Sequence, residues 1–445
     1  MNFYRDIIDE LNDWLVNRGR KPLVVTGMRC IGKTTVLQNF AKKENLKLAY
    51  FSFRTNIGLK QVFMQKGDWD AKKIINKLST MGGVNIDAKQ TLVLLDDVHL
   101  FPLVLKQLLI FARDVPEYRI IASGTFLKAI VDECQEISLS DFDWIALQPM
   151  TFSEFLCSAD EKLYLTAKKH VSLIPLEGEL HDKLNSAFMH YMFTGGQPIA
   201  VDAWLQTGNE GKVQELLKTQ CEVERDAIER LAPPKQLEKI LEIWDNVAMQ
   251  LSKDNHKFNF SFMRSGARAR DYEKAMDWLE LAGLTHRVYC NKKPFVPLSN
   301  HDDKSAYKVY LTDPGMMISL TGVTFRSLKD NNPLYSDLKK AIVETVVLQA
   351  LTAKGREVPR YWQSLGKAEL DFIVQSGDEV FPIELRTGTK LGGRCLQVYN
   401  MIFSPSVMIR YSMNNLNHEG NLLSIPYYMV DFTAKLILRS KLERS

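Results

Sequence analysis

From residue 21 the apolar positions fall into short runs instead of one long helical stripe. Residues 22–26, 48–53, 91–96, 118–123 and 144–148 read as strands, and the stretches between them carry helical spacing. Repeated strand-then-helix order predicts an α/β fold with a parallel sheet and helices on both faces. Ahead of it, Phe3, Ile7, Leu11 and Leu15 recur at helical spacing and predict a helix over 3–18 that packs on the first domain. Residues 151–220 read as mostly helical, with a break at Gly195-Gly196-Gln197-Pro198. Pro233-Pro234 predicts a boundary. From 235 to 320 the pattern predicts three helices and then a short β-hairpin around Asn291-Lys292-Lys293-Pro294. Asn331-Asn332-Pro333 predicts a second boundary, and 335–440 reads as helix, three strands, then helix and strand. The expected units are a helix at 1–20, a parallel-sheet domain at 21–158, a helical segment at 159–232, a middle domain at 233–330 and a C-terminal α/β domain at 335–440. No internal repeat or low-complexity tract interrupts them.

Composition adds limits. The chain has 445 residues, enough for about three domains, and its 45% hydrophobic and 25% charged residues are those of a soluble globular protein. Its 57 Lys and Arg against 53 Asp and Glu leave a net charge of +4, too small by itself to imply a polyanion partner. Any basic surface must be local. No apolar run is long enough to span a bilayer, so no membrane is expected. The first residues, Met1-Asn2-Phe3-Tyr4-Arg5-Asp6, carry an acid and lack a signal-peptide core. Six cysteines, at 30, 134, 157, 221, 290 and 395, are scattered without a C-x-x-C pair. They read as thiols in a reducing compartment, for which the cytoplasm is the expectation.

The chemistry concentrates behind the first strand. Gly27-Met28-Arg29-Cys30-Ile31-Gly32-Lys33-Thr34 fills the pattern G-x-x-x-x-G-K-[ST], with Thr35 following and a helix leaving through Val36 to Phe40. In such a loop the glycines let backbone N–H groups turn toward one point, where the next helix adds its positive end. Lys33 supplies a cation for β- and γ-phosphates, and Thr34 a hydroxyl for Mg2+. The strand Thr91 to Leu95 ends in Asp96-Asp97. Asp96 is expected to hold Mg2+, directly or through water, and Asp97 to polarise the attacking water. Ser123 and Thr125, at the tip of the following strand, are candidates to sense a γ-phosphate, against simple turn chemistry. Arg29 is a phosphate contact or a packing residue. Arg113 and Arg119 are candidates for a trans-acting arginine finger.

At this point the chain resembles a bacterial and archaeal group of AAA+-like P-loop ATPases that carry a C-terminal uncharacterised domain of PD-(D/E)XK, or restriction-endonuclease-like, fold. The resemblance covers nearly the whole length. It rests on Arg20-Lys21-Pro22-Leu23, Gly27 to Thr35, Leu95-Asp96-Asp97-Val98-His99, Ala122-Ser123-Gly124-Thr125, Leu147-Gln148-Pro149-Met150-Thr151-Phe152-Ser153-Glu154-Phe155 and Gly195-Gly196-Gln197-Pro198. It implies a P-loop NTPase sheet with a helical lid, then a winged-helix domain and a restriction-endonuclease-like domain, with ATP and Mg2+ as cofactors. Related signalling ATPases touch adenine with a G-x-P turn. Gly196 and Pro198 match it, the other reading being a helix-breaking turn. Two departures point to slow hydrolysis. The second strand-end acid is usually Glu, and a Gly-Arg pair usual in the family is replaced by Leu139-Ser140-Asp141-Phe142-Asp143-Trp144.

The middle domain resembles a winged helix-turn-helix, with a helix through Tyr272, Ala275, Met276 and Leu279 and a wing at Lys292-Lys293. Arg264, Arg268, Arg270, Lys292 and Lys293 are its candidate DNA-phosphate contacts, although Glu273, Asp277 and Glu280 share the helix. The C-terminal order Glu344, Asp371, Glu384, Arg386 follows the nuclease layout, in which Asp371 and Glu384 would chelate Mg2+. Arg386 stands where Lys is usual, stays charged and cannot serve as a base, so a vestigial nuclease site is expected. Three functions follow in order: an ATP-hydrolysing switch or motor, with nucleic acid as one candidate for what it acts on, an ATP-gated DNA or protein adaptor with little turnover, and a nucleotide-controlled nuclease. The oligomeric state stays open.

Overall fold

The computed structural model describes residues 3–17, 21–64, 69–253, 256–330, 335–388 and 393–443. Arg20 and Asn331-Asn332-Pro333 lie outside the described residues. The first sheet holds five parallel strands, β1 (Leu23–Gly27), β2 (Lys47–Ser52), β3 (Thr91–Asp96), β4 (Arg119–Thr125) and β5 (Asp143–Ala146), in the order β2-β3-β4-β1-β5. Every residue of β1 and β3 is buried, as expected for strands covered on both faces. Alternate residues feed two cores. Leu23, Val25, Leu92, Leu94 and Ile121 point to one; Val24, Val93, Leu95, Ile120 and Ala122 point to the other. Because β4 lies between β1 and β3, its tip stands between the loop after β1 and the acids after β3. Such a crevice, outside the carboxyl ends of the strands and at a change of strand order, is where open α/β sheets bind ligands.

The predicted first helix is shorter than expected, spanning Ile7–Val16. Beyond the sheet come the helices Phe152–Ala159, Glu161–Lys169, Gly178–Thr194, Pro198–Thr207 and Glu210–Leu231. Among the described residues between 235 and 281 there are two α-helices, Leu237–Leu251 and Ala269–Leu281, and a single 3-10 turn at Phe260–Phe262 where a third helix was expected.

The middle segment differs from a free-standing wing. Strands β6 (Thr285–Asn291) and β7 (Asp302–Leu311) do pair antiparallel, but residues 292–301 connect them instead of a tight turn at Lys292-Lys293. β6 also pairs in parallel with β8 (Arg360–Gln363) through Cys290–Tyr361 and Asn291–Trp362. The hairpin therefore forms one end of an eight-stranded sheet that includes β9 (Glu369–Ser376), β10 (Glu379–Leu385), β11 (Met408–Ser412), β12 (Asn417–Glu419) and β13 (Leu422–Pro426), in the order β12-β13-β11-β10-β9-β8-β6-β7. The physical reason is burial: Val288, Cys290, Val309 and Leu311 are fully covered, and a wing projecting into water would expose them. The helix Ser336–Thr352 is buried almost all round from Ala341 to Ala350 and sits at the centre of this half. One continuous core runs from the first sheet into the second.

Candidate functional site

The loop after β1 is held by close approach. A Cβ on Gly27 would lie 2.4 Å from the Leu147 carbonyl oxygen. Lys33 opens the helix Lys33–Lys43, and its buried ammonium donates to the carbonyls of Gly27 at 3.1 Å and Met28 at 2.6 Å. Burial pushes the Lys33 pKa down, opposed by Glu224 first and then by Asp96 and Asp97. Met28 is buried, with Gln197 and Thr312 donating toward its sulfur at 3.8 and 3.5 Å. The loop thus touches the turn ahead of the Pro198–Thr207 helix through Gln197 and the residue after β7 through Thr312. Arg5 lies beneath it, donating to the Ile31 and Gln148 carbonyls and pairing with buried Glu154 at 3.2 Å. Glu154 and Thr151 form a capping box that starts the Phe152–Ala159 helix.

Asp96, at the tip of β3, is buried and gathers hydroxyls. Thr34 Oγ1 donates to its Oδ2 at 2.5 Å, the Tyr50 hydroxyl donates to the same oxygen at 3.2 Å, and Ser123 Oγ donates to Oδ1. Burial and Asp96 push the Tyr50 phenol up to about 12, so it stays protonated. The Thr34 hydroxyl beside the Asp96 carboxylate is a pair of hard oxygen donors, which fits Mg2+. Asp97 is differently placed. It sits in the left-handed region at φ 56°. Its carboxylate accepts from Arg54 Nε and Nη2 at 3.2 and 3.1 Å and from Ser52 Oγ at 3.0 Å. Burial acts against the Asp97 charge, but Arg54 and Ser52 outweigh it and hold the pKa below the ordinary value. His99 is kept neutral by burial, its pKa down to about 4, and its Nδ1 accepts from the Thr125 N–H at 3.3 Å. Arg119 begins β4 at the opposite end of the sheet and Arg113 pairs with Asp114 on the surface, so neither reaches this crevice within the chain.

On the other side of the loop, a cleft of about 240 Å3 is lined by Phe3, Cys30, Gly32, Thr35, Asn39, Pro198 and Asp202, among others. Pro198 therefore does face the loop. Gly196 does something else: a Cβ there would meet the Met150 carbonyl oxygen at 2.2 Å. Its N–H donates to Asp313 at 2.8 Å, and its carbonyl accepts from Met150 N at 2.8 Å. Burial pushes the Asp313 carboxyl up to about 6.

The other predicted clusters are further along the chain. Arg264, Arg268, Arg270, Lys292 and Lys293 are exposed; Lys292 is 3.0 Å from Asp303 and Arg270 3.8 Å from Asp271. The acids on the Ala269–Leu281 helix are used internally. Arg287 of β6 contacts Glu280, Asp277 and, at 3.6 Å, Glu273. Asp371 and Glu384 lie on paired strands, but resident cations hold both. Lys340 is 2.8 Å from Asp371, and Glu384 is 2.6 Å from Arg386 and 3.0 Å from Arg410. Glu344 accepts from Tyr310 at 2.8 Å, with His256 at the same distance and Lys340 at 3.6 Å. Among the described residues no group of three or more His, Cys, Asp or Glu is gathered as a metal would need. The residues present there do not fit a nuclease's Mg2+.

Sequence reasoning missed Arg5, Tyr50, Ser52, Arg54, Gln220 and Glu224. Gln220 and Glu224 did leave a trace: they interrupt the apolar stripe Val213, Leu217, Cys221, Ile228 of their helix.

Among known proteins, residues 19–156 match the model of an AAA domain. Residues 185–327 and 339–428 match two domains of unknown function, DUF8612 and DUF4143. Nothing among the curated proteins matches the chain. Among solved structures it is similar to a Walker-type ATPase of Pyrococcus abyssi, at 13% identity over 72% of this chain and 96% of that one, with a TM-score of 0.43. It is also similar to Drosophila ORC bound to DNA, at 11% identity over 71% of this chain and 94% of that one, with a TM-score of 0.26. Among the described residues no helix is long and apolar enough to cross a membrane. The match to an AAA domain thus takes in the whole five-stranded parallel sheet and the loop at Gly27 to Thr34.

Proposed function

We propose that this protein binds Mg·ATP in the crevice between the loop after β1 and the tips of β3 and β4, and hydrolyses it to move its lid. The observation that carries this reading is the convergence of Thr34 and Ser123 on Asp96 directly beside buried Lys33. Lys33 would exchange its carbonyl partners for β- and γ-phosphate oxygens. Thr34 and Asp96 would hold Mg2+, which would supply positive charge to offset that of the phosphates. Ser123 fixes the Asp96 carboxylate and stands next to the γ-phosphate position. Arg54 and Ser52 orient Asp97, whose low pKa keeps it ionised and makes it a water-positioning group in preference to a strong base. Pro198 and Thr35, with the cleft beside them, are assigned to the adenosine side, while Gly196 is assigned to the packing of the turn.

Lys33→Ala should abolish ATP hydrolysis measured by phosphate release; wild-type turnover in that variant refutes the site. A second reading, an ATP-gated adaptor with little turnover, is favoured by the grip of Arg54 on Asp97. Single-turnover hydrolysis with and without duplex DNA separates the two: stimulation by DNA supports a motor, and bound ATP without product supports the adaptor. A DNA role for Arg264, Arg268, Arg270, Lys292 and Lys293 belongs to the same test. The saturated carboxylates Asp371 and Glu384 support a C-terminal domain that binds or braces and does not cut.

A further inference from the structure

The Glu210–Leu231 helix turns toward the AAA domain a face on which two polar residues are buried among apolar ones. Gln220 is 4% exposed and Glu224 0%. Both address a single residue of the loop after β1. Gln220 Nε2 donates to the Arg29 carbonyl at 2.9 Å, and the Arg29 N–H donates to Glu224 Oε1 at 2.7 Å. Gln220 also donates to that Oε1 at 3.0 Å, which fixes the carboxylate's orientation. A lid helix therefore completes both backbone groups of Arg29, across 191 and 195 positions of sequence.

Glu224 Oε2 is buried and has no hydrogen-bond partner. A buried carboxylate oxygen without a donor is costly. Burial pushes the Glu224 carboxyl up to about 7, and Lys33 is the first group opposing that push. In turn, Glu224 is the first group opposing the downward push of burial on the Lys33 ammonium, ahead of Asp96 and Asp97. A loop built to receive anions on its amides and its lysine is thus already addressed by an anion belonging to the lid.

We propose that Glu224 is a specificity-determining residue of the nucleotide site: its carboxylate competes with a γ-phosphate for Lys33 and the loop, while a nucleoside diphosphate leaves it in place. This rests on the ATP-binding reading above. A triphosphate brings its terminal negative charge to the same lysine, so a like charge must leave with the helix that carries it. The diphosphate brings its β-phosphate to Lys33 but nothing to the γ-position, and the γ-position is the one for which Glu224 competes. Glu224 therefore lowers the preference of the site for ATP over ADP and ties lid position to the third phosphate. The Glu210–Leu231 helix packs on Pro198–Thr207 and Pro314–Thr321, so its displacement reaches the lid turn and the segment after β7.

The test is isothermal titration calorimetry of the full chain with Mg·ADP and with the Mg complex of a non-hydrolysable ATP analogue, on wild type, Glu224→Gln and Glu224→Asp. Gln keeps an acceptor for the Arg29 N–H and removes the charge. Asp keeps the charge and shortens the arm. Glu224→Gln should tighten the triphosphate about tenfold and change the diphosphate by less than about threefold. Glu224→Asp should hold the ratio near wild type, whereas a merely structural role would move both variants together. An unchanged or reduced triphosphate preference in Glu224→Gln, with both nucleotides still binding, overturns the inference and leaves the ATP-binding reading standing. If Glu224→Gln does not fold, a Glu224→Asp ratio shifted as far as tenfold overturns it instead. A folded wild type that binds neither nucleotide overturns both.

Discussion

Removing Arg5 should unfasten the loop after β1 from beneath. Arg5 is 4% exposed, and its guanidinium serves three acceptors at once: Glu154 Oε2 at 3.2 Å, the Ile31 carbonyl at 3.1 Å and the Gln148 carbonyl. Arg5→Ala leaves Glu154 buried with only the N–H groups of Asp6 and Thr151, at 2.7 and 3.0 Å, and deprives two carbonyls of a donor. Breaking a buried pair by deleting one partner costs about 3–5 kcal/mol, and water entering the vacated space recovers some of it, so a loss of about 3 kcal/mol is expected. Urea unfolding followed by tryptophan fluorescence, to which Trp14 buried in the helix just after Arg5 contributes, measures it. The pH dependence has a definite sign. Burial already holds the Glu154 carboxyl above its ordinary value, and Arg5 is the first group opposing it. Without Arg5 the folded-state pKa rises further above the unfolded one. A raised carboxyl pKa adds stability below the unfolded value and loses it as pH climbs through the folded one. The penalty of Arg5→Ala should therefore be largest near neutrality and shrink toward the ordinary carboxylate range. Glu154→Gln in the same background should recover part of the loss. A cost below about 1 kcal/mol, or one that grows on acidification, refutes the assignment of Arg5 as the charge partner.

Gly196→Ala must push the Met150 backbone away from a Cβ that would sit 2.2 Å from its carbonyl oxygen, so thermal stability should fall by about 2–3 kcal/mol; an unchanged melt shows that the turn is looser than described. Lys340→Met removes the cation beside Asp371 and one of those acting on Glu344, and should cost about 3 kcal/mol by urea unfolding. A cost below about 1 kcal/mol would mean that Lys308 alone holds these carboxylates. Ser123→Ala removes a donor from Asp96 and should lower kcat for ATP about tenfold while Kd changes by less than about threefold; equal losses in both would make Ser123 a ground-state contact.

The first sheet is legible in the sequence to within two residues at every strand end, because β1 to β5 are contiguous apolar runs closed by turns. The loop at Gly27 to Thr34 is legible for the same reason: its chemistry depends on neighbours in sequence. Arg5 and Glu154, or Arg29 and Glu224, meet only after 149 and 195 positions of chain have folded, so a local trace such as Glu224 within an apolar stripe does not name its partner. Arg54 sits two residues beyond a strand end, where an exposed arginine would be the ordinary expectation. The hairpin β6–β7 shows another limit. Its antiparallel pairing follows from local pattern, whereas its junction with β8 is decided by which apolar edge finds a partner. The short strands β12 and β13 escape prediction because three to five residues at the end of a sheet carry too little periodicity.

Met28 has a consequence for how far a change at the nucleotide loop can travel. Its sulfur meets Thr312, the residue that follows the last position of β7, and β7 is the outermost strand of the C-terminal sheet. With neighbouring strands about 4.8 Å apart, the opposite margin at β12 stands roughly 34 Å away. That margin is tied back to the helical segment after the first sheet by the pair of bonds between Leu176 and Asn415 and by Asn185 on the Met413 carbonyl, so the second sheet is gripped at both edges and a shift at Met28 is shared by the whole body and not released at a free end.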